Sequence, residues 1–141
     1  MVSETDVAGR SAGQRAHRLA KLQALRNRGV AAYPYRWPPD ATAAGIRAAH
    51  PGLAPDTRTT DRVRVAGRVE LIRRQGWLTF ATLRDRTGAV QLYVDSSVLG
   101  PERHAEFDDV DRGDWIGAEG TVMTTRTGEL SVCVEDFAVL G

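Results

Sequence analysis

From residue 62 to the end of the chain, apolar and polar residues alternate in short runs that are separated by turn-forming residues. In the first run Val63, Val65 and Val69 alternate with arginines. A repeat of two is the repeat of a β-strand with one buried face, because successive side chains point to opposite sides of a sheet. This part of the chain is therefore predicted to be mainly β.

Five such runs are predicted as strands, at residues 62–74, 77–84, 89–95, 115–125 and 129–140. Short turn-forming segments join the first three and the last two, as in hairpins. Between the third and fourth runs the alternation breaks off, and a helix over 102–110 is predicted to bury Phe107. On strand one the residues predicted to face inward are Val63, Val65, Val69 and Leu71, opposite Arg62, Arg64, Arg68 and Glu70.

Three strands, a helical excursion and two further strands favour a five-stranded Greek-key barrel of the OB type, since a sandwich needs more strands. In such barrels the ligand lies across strands two and three. It is also held between the loop that joins strands one and two and the loop that joins strands four and five. Candidate binding residues are therefore sought on those two strands and in those two loops.

The residues before the barrel predict a basic α-helix over 12–28. Ser11 and Gln14 have the spacing of a capping box, leucines and alanines recur at helical spacing, and Gly29 suits a helix end. Such a helix either turns its arginines toward RNA or lays their stems over apolar surface.

A proline-rich connector follows the helix, with a short second helix predicted over 42–49 behind the capping residue Thr42. The predicted organisation is a flexible N-terminus at 1–11, the helix and connector at 12–61, and the OB domain at 62–141.

Length and residue counts exclude several classes of protein. A chain of 141 residues, 42% of them hydrophobic, suits one compact domain. A single cysteine, Cys133, allows no internal disulfide, and the three histidines lack metal-ligand spacing. The sequence has no phosphate loop, nucleophile elbow or zinc-protease helix, so no catalytic or metal residue is predicted. Without a long apolar run or a secretory signal, the chain is expected to be cytoplasmic.

The net charge of +1 conceals a division between the two halves of the chain. Residues 1–74 hold 14 basic and 6 acidic side chains, whereas residues 75–141 hold 5 and 12. A polyanion is expected to approach through the basic half and its neighbours in space. An uneven but purely solvated surface is the alternative interpretation.

The predicted binding strands carry two candidate groups, Phe80 on strand two and Gln91 on strand three. An aromatic ring can stack on an unpaired base, and a carboxamide can pair with the donor and acceptor on the edge of uracil. The alternatives are a core position for Phe80 and a solvent-facing amide for Gln91. Periodicity does not choose between them, because both faces of strand two carry apolar residues.

The predicted binding loops add a further group of candidates. An ionised carboxylate can accept a hydrogen bond from an amino or imino N–H of a base or orient an arginine, and arginines can hold phosphates beside a stacked base. Each could instead be a solvated strand end, a hairpin end or a cover over the barrel mouth. These candidates are Arg73, Arg74 and Trp77 around the first loop and Arg126 and Glu129 around the second.

Taken together, the residues resemble the N-terminal anticodon-binding domain of class II lysyl-tRNA synthetases over about 120 residues. The resemblance rests on six blocks in family order. They are 29–34 (GVAAYP), 65–69 (VAGRV), 72–76 (IRRQG), 80–85 with 87–93 (FATLRD, TGAVQLY), 113–117 (GDWIG) and 127–132 (TGELSV).

The resemblance implies an OB barrel that grips the anticodon loop of lysine tRNA. It implies that Phe80 stacks on an anticodon base, Gln91 reads the central uridine and Glu129 helps to recognise the uridine-rich triplet. Arg68 and Arg73 match family arginines that contact the anticodon or its backbone. Trp77 stands where the family usually has lysine, so a stacking surface is expected there in place of a phosphate contact.

The sequence lacks the class II motifs that bind ATP and activate lysine, so ATP and Mg²⁺ are expected only in a separate catalytic domain. The leading hypothesis is an anticodon-binding module of a lysyl-tRNA synthetase, inactive as a ligase and monomeric in isolation. Alternatives are the corresponding domain of a bifunctional phosphatidylglycerol lysyltransferase, a freestanding non-specific single-strand binder, and a protein-interaction barrel. No membrane contact is expected from this segment.

Overall fold

The computed structural model describes residues 37–141 as a closed five-stranded barrel. Its strands follow one another around the barrel in the order β1-β2-β3-β5-β4, antiparallel except where β3 meets β5. This confirms the predicted OB-type barrel; the basic helix predicted over 12–28 lies outside the described residues. The strands are β1 Arg58–Gln75, β2 Leu78–Asp85, β3 Gly88–Asp95, β4 Trp115–Thr124 and β5 Leu130–Val139, and the helices are α1 Ala43–Ala49, α2 Ser96–Leu99 and α3 Pro101–Phe107.

The barrel interior is filled by the alternate apolar residues of all five strands. Val65, Leu92 and Val132 are almost completely buried there, as the period of two predicts. Phe107, at the end of α3, is fully buried and meets Phe137 of β5 edge to face, with ring centroids 5.0 Å apart. The helix between β3 and β4 therefore adds an aromatic residue to the core, as predicted.

Strand β1 departs from the predicted alternation at a β-bulge between Val69 and Leu71. An extra residue in one strand reverses which side chains point inward beyond it. Leu71 is consequently 59% exposed, so the prediction that it faces inward is wrong, and Ile72 packs against the core instead. The strand also begins at Arg58, four residues before the predicted start, because residues 58–61 continue the pairing with β4 past a second register shift.

Helix α1 is fixed to the turn between β2 and β3 by hydrogen bonds at its first residues. Thr42 caps the helix by accepting a hydrogen bond from the Gly45 N–H, as its sequence position predicts. The Asp85 carboxylate accepts a hydrogen bond from the Ala43 N–H at 2.9 Å. The helix thus covers the end of the barrel at the β2–β3 turn, where its Ala43 and Ile46 join the core.

The helical excursion after β3 is split in two. Asp95 caps the short helix α2, and Gly100, at φ 98°, separates it from α3. That backbone angle favours glycine. The predicted helix over 102–110 is therefore shifted toward the N-terminus and ends at Phe107. Within residues 37–141, none of the helices has the length and apolar character that a membrane span requires.

Candidate nucleic-acid interface

Phe80 and Gln91 lie on the outer wall of the barrel. Their neighbours Ala81 and Val90 point into the core and are 1% and 2% exposed. Since side chains alternate along a strand, Phe80 and Gln91 point outward and are half-buried. In the β2–β3 ladder Phe80 is opposite Tyr93 and Thr82 is opposite Gln91. The ring and the amide therefore belong to one surface, which excludes the core alternative for Phe80.

This surface forms the floor of a groove of about 780 Å³. The groove runs between the β1–β2 turn and the β4–β5 loop, where OB folds bind their ligands. It brings together six of the eight predicted residues. They are Arg73, Trp77, Phe80, Gln91, Arg126 and Glu129.

Phe80 has an aromatic neighbour and a cationic one. The Tyr93 ring lies edge to face with it, at 5.6 Å between centroids and 77° between planes. The Arg73 guanidinium carbon lies 4.8 Å from the centroid of the Phe80 ring. Both contacts are favourable for a ring, and the guanidinium covers part of its surface. An incoming base can therefore either stack on the guanidinium or displace it from the ring.

Gln91 is oriented by strand β5. Its Nε2 donates a hydrogen bond to Ser131 Oγ at 3.0 Å, and that hydroxyl donates to the Glu129 carbonyl oxygen at 3.1 Å. The chain of hydrogen bonds uses one of the two amide hydrogens of Gln91. Its carbonyl oxygen and second amide hydrogen make no further hydrogen bond to the described residues. They are the acceptor and donor that pairing with a uracil edge requires.

Glu129 and Arg126 are presented by a tight loop between β4 and β5. The Thr125 N–H donates to the Glu129 carbonyl at 3.0 Å, and the Glu129 N–H donates to Thr125 Oγ1 at 3.1 Å. Gly128, at φ 91°, makes the reversal without the steric cost that a side chain would add. The two charged side chains are exposed at the groove margin.

Arg68 and Arg74 do not line the groove. The Arg68 guanidinium lies over the Trp115 ring, 5.2 Å from its centroid. Arg74 Nη2 donates to the carbonyl oxygens of Val110 at 2.7 Å and Asp108 at 3.1 Å, which ties the end of β1 to the loop after α3. Arg68 therefore lies on another part of the barrel. Arg74 has a structural role, because its guanidinium binds backbone carbonyls of the protein itself.

Tyr93 and Arg58 are among the groove residues that are missing from the sequence-based candidates. Tyr93 follows Gln91 by two positions, so the strand period alone could have placed it on the same face. Arg58 lies in the segment interpreted as connector, and no local pattern marks it. Its guanidinium carbon lies 5.6 Å from the Tyr93 ring centroid, and its Nη1 donates a hydrogen bond to Cys133 Sγ at 3.3 Å.

The groove arginines differ from several others in their charge partners. Arg62 and Arg64 both bond to Glu119, and these hydrogen bonds lower the pKa of that carboxyl. In the ion pairs formed by residues 37–141, carboxylates also neutralise Arg74, Arg84 and Arg103. The three groove arginines take part in none of these pairs. They are Arg58, Arg73 and Arg126.

The acidic residues after α3 are not assembled as a metal site. Within the described part of the chain, no group of three or more His, Cys, Asp or Glu side chains could hold a metal ion. Asp114 is buried and accepts a hydrogen bond from the Asp111 N–H at 2.9 Å, so it shapes this loop.

Comparison with known proteins gives both a family match and similar full-length proteins. The family described as OB-fold nucleic acid binding domain, of the tRNA anti-codon type, matches residues 63–140. The lysine–tRNA ligase of Magnetococcus marinus is 42% identical over 130 residues, which cover 90% of this chain and 26% of the relative. That of Thermosynechococcus vestitus is 40% identical over 140 residues, or 96% of this chain and 28% of the relative. The chloroplastic/mitochondrial lysine–tRNA ligase of Arabidopsis thaliana is 36% identical over 130 residues, or 89% and 22%. The chain thus spans about a quarter of the length of these relatives.

Proposed function

The chain belongs to the tRNA anti-codon family of OB-fold nucleic acid binding domains, and we propose that it binds the anticodon loop of lysine tRNA as part of a lysine–tRNA ligase. The observation that carries the proposal is the placement of Phe80 and Gln91 on one outer wall, in a groove with arginines that have no carboxylate partner among the described residues. The names of the similar full-length proteins support the choice of lysine tRNA.

In the bound state an unpaired anticodon base stacks against Phe80. Gln91, held by Ser131, pairs with the N3–H donor and a carbonyl acceptor of the central uridine. Glu129 accepts a hydrogen bond from an N–H of a neighbouring base, and Arg73 and Arg126 hold the backbone phosphates. Trp77, which is 61% exposed at the groove edge, adds a second stacking surface.

In this proposal the present segment binds the anticodon, and other parts of a full-length ligase carry out catalysis. ATP and Mg²⁺ belong to the ligase reaction and have no assigned residue in this segment. We further propose that the segment is monomeric in isolation, acts in the cytoplasm and makes no membrane contact. These proposals follow from the synthetase assignment.

Binding to a fluorescently labelled anticodon stem-loop of lysine tRNA tests the proposal. Wild-type protein is expected to bind this RNA more tightly than a stem-loop with cytosine at the central position or an oligothymidine. Gln91→Ala is expected to reduce the discrimination between central uridine and cytosine, because the variant lacks the pairing amide. Gln91→Glu is a matched variant that keeps the size of the side chain but lacks the amide donor.

Two results would contradict the assignment. Equal affinity of the wild type for the stem-loop and for oligothymidine would indicate a non-specific single-strand binder. Unchanged rejection of central cytosine by a folded Gln91→Ala variant would remove the role given to the amide.

A further inference from the structure

Four side chains form a continuous row across the groove floor, with a cation at each end. Arg73 lies over Phe80 at 4.8 Å, Phe80 meets Tyr93 at 5.6 Å, and Arg58 lies over Tyr93 at 5.6 Å. The row begins near the end of β1, crosses β2 and β3, and returns to the first residue of β1. The two ends of one strand thus place a positive charge on either side of two aromatic rings.

We propose that Arg58 binds a backbone phosphate of the RNA on the far side of the nucleotide that stacks on Phe80. Arg73 and Arg58 then grip the single strand at two phosphates, one at each end of the aromatic row. The proposal rests on the proposed function in so far as the groove must bind RNA. It adds a phosphate contact at Arg58, which the sequence had assigned to the connector.

Two contacts within the protein orient the Arg58 guanidinium. Its Nη1 donates to Cys133 Sγ at 3.3 Å, and Cys133 is buried on β5 directly opposite Tyr93 of β3. The thiol and the ring therefore hold the guanidinium over the face of the sheet that also carries Gln91. A planar guanidinium held in this way has further N–H donors for a phosphate and loses less conformational freedom on binding.

The charge of Arg58 is also favoured by its surroundings. Burial alone would lower the pKa of the guanidinium, but the hydrogen bond to the Cys133 side chain opposes this effect, and the pKa is raised above its ordinary value. Burial raises the pKa of the Cys133 thiol, which remains protonated at neutral pH. A neutral thiol orients the guanidinium without cancelling its positive charge.

The test combines protein variants with RNA in which single phosphates are made neutral. A series of lysine anticodon stem-loops carries one methylphosphonate linkage at each position of the anticodon loop in turn. For wild-type protein, one linkage contacted by Arg58 is expected to weaken binding about tenfold, the effect of losing one charge-assisted hydrogen-bonded contact. With Arg58→Ala the same linkage should cause no further loss, because its protein partner is already absent.

Arg58→Ala is expected to bind every stem-loop about tenfold more weakly, whatever the bases, since a phosphate carries no sequence information. The slope of log K against log salt should fall by about 0.7, the value for one phosphate contact on a single strand. Arg86→Ala removes an arginine in the β2–β3 turn, outside the groove, and is the matched control. Arg58→Lys keeps the charge and should retain part of the affinity.

Three outcomes would overturn the proposal. Arg58→Ala could bind like Arg86→Ala, the same methylphosphonate could weaken both wild type and Arg58→Ala, or the loss could be confined to one base with an unchanged salt slope. In each of these cases wild-type preference for the lysine stem-loop would still support the proposed function. If the wild type showed no preference for the lysine stem-loop but the coupling between Arg58 and one phosphate were present, the result would refute the proposed lysine specificity and leave the role of Arg58 standing. If Arg58→Ala failed to fold, the wild-type methylphosphonate series and Arg58→Lys would decide the matter.

Discussion

Replacing Phe80 by alanine is expected to lower both the stability of the protein and its affinity for RNA, and a buried control variant separates the two effects. The ring lies on the outer wall, so its removal leaves no internal cavity. Its contacts in the free protein are the edge-to-face pair with Tyr93 and the cation–π contact with Arg73. These are worth about 0.5–1.5 and 0.5–1 kcal/mol respectively. The free energy of unfolding is therefore expected to fall by about 1–2 kcal/mol.

The expected loss in RNA binding follows from the same contacts. Stacking of a base on an aromatic side chain contributes about 1–3 kcal/mol. Part of that gain is cancelled, because the base disturbs the contact between Arg73 and the Phe80 ring when it stacks there. A loss of about 1–2 kcal/mol is therefore expected, which corresponds to roughly 5- to 30-fold weaker binding.

The assay pairs urea unfolding with anisotropy titration of the lysine anticodon stem-loop. Ile116→Val is the matched control. Ile116 is fully buried and lies outside the groove, and its replacement by valine is expected to lower stability by about 0.5–1.5 kcal/mol. Phe80→Leu keeps an apolar group at the position but removes the ring. Both Phe80 variants should bind weakly while Ile116→Val binds like the wild type. Binding within twofold of the wild type by a folded Phe80→Ala protein would refute the stacking role.

Two further predictions concern residues outside the groove floor. Hydrogen bonds from Thr87 and Ala43 outweigh burial and lower the pKa of Asp85, so the ionised carboxylate stabilises the protein fully above its unfolded pKa and loses this effect as the pH falls through the lower folded value. In urea unfolding, Asp85→Asn should therefore lose less stability below about pH 4 than the wild type does. An equal dependence on acid in the two proteins would contradict this. Arg74→Ala should lower stability by about 1–2 kcal/mol, because Arg74 donates to the carbonyls of Val110 and Asp108, yet leave stem-loop affinity within twofold; a larger loss of affinity would show that Arg74 contacts RNA.

The sequence was sufficient to predict the strands and their order along the chain, because each strand has a clear period of two and recognisable turn residues separate most of them. It failed at Leu71 because a β-bulge adds one residue without any local signal, and every side chain beyond it changes sides. Before the bulge, Val65 and Val69 face inward as predicted. Strand phase is thus predictable only within an uninterrupted ladder.

The candidate site was predictable where it depends on that phase. Phe80 and Gln91 lie on one wall because β2 and β3 are regular and pair directly. Arg58 was not predictable, since it reaches the groove through the closure of the barrel, which brings the start of β1 beside β4 and β5. Contacts made by barrel closure join residues that are far apart in the sequence, so no regular spacing along the chain predicts them.

Barrel closure also explains how a chain of almost zero net charge can present a cationic groove. Basic residues of β1 and an acidic residue of β4 meet along the β1–β4 ladder, where Arg62 and Arg64 pair with Glu119. These pairs remove part of the positive charge from the long-range field of the first half. Arg58 and Arg73, at the two ends of the same strand, lie beyond the reach of Glu119 and keep their charge for a ligand. Attraction to RNA should therefore depend on these end positions more than on the total charge of β1.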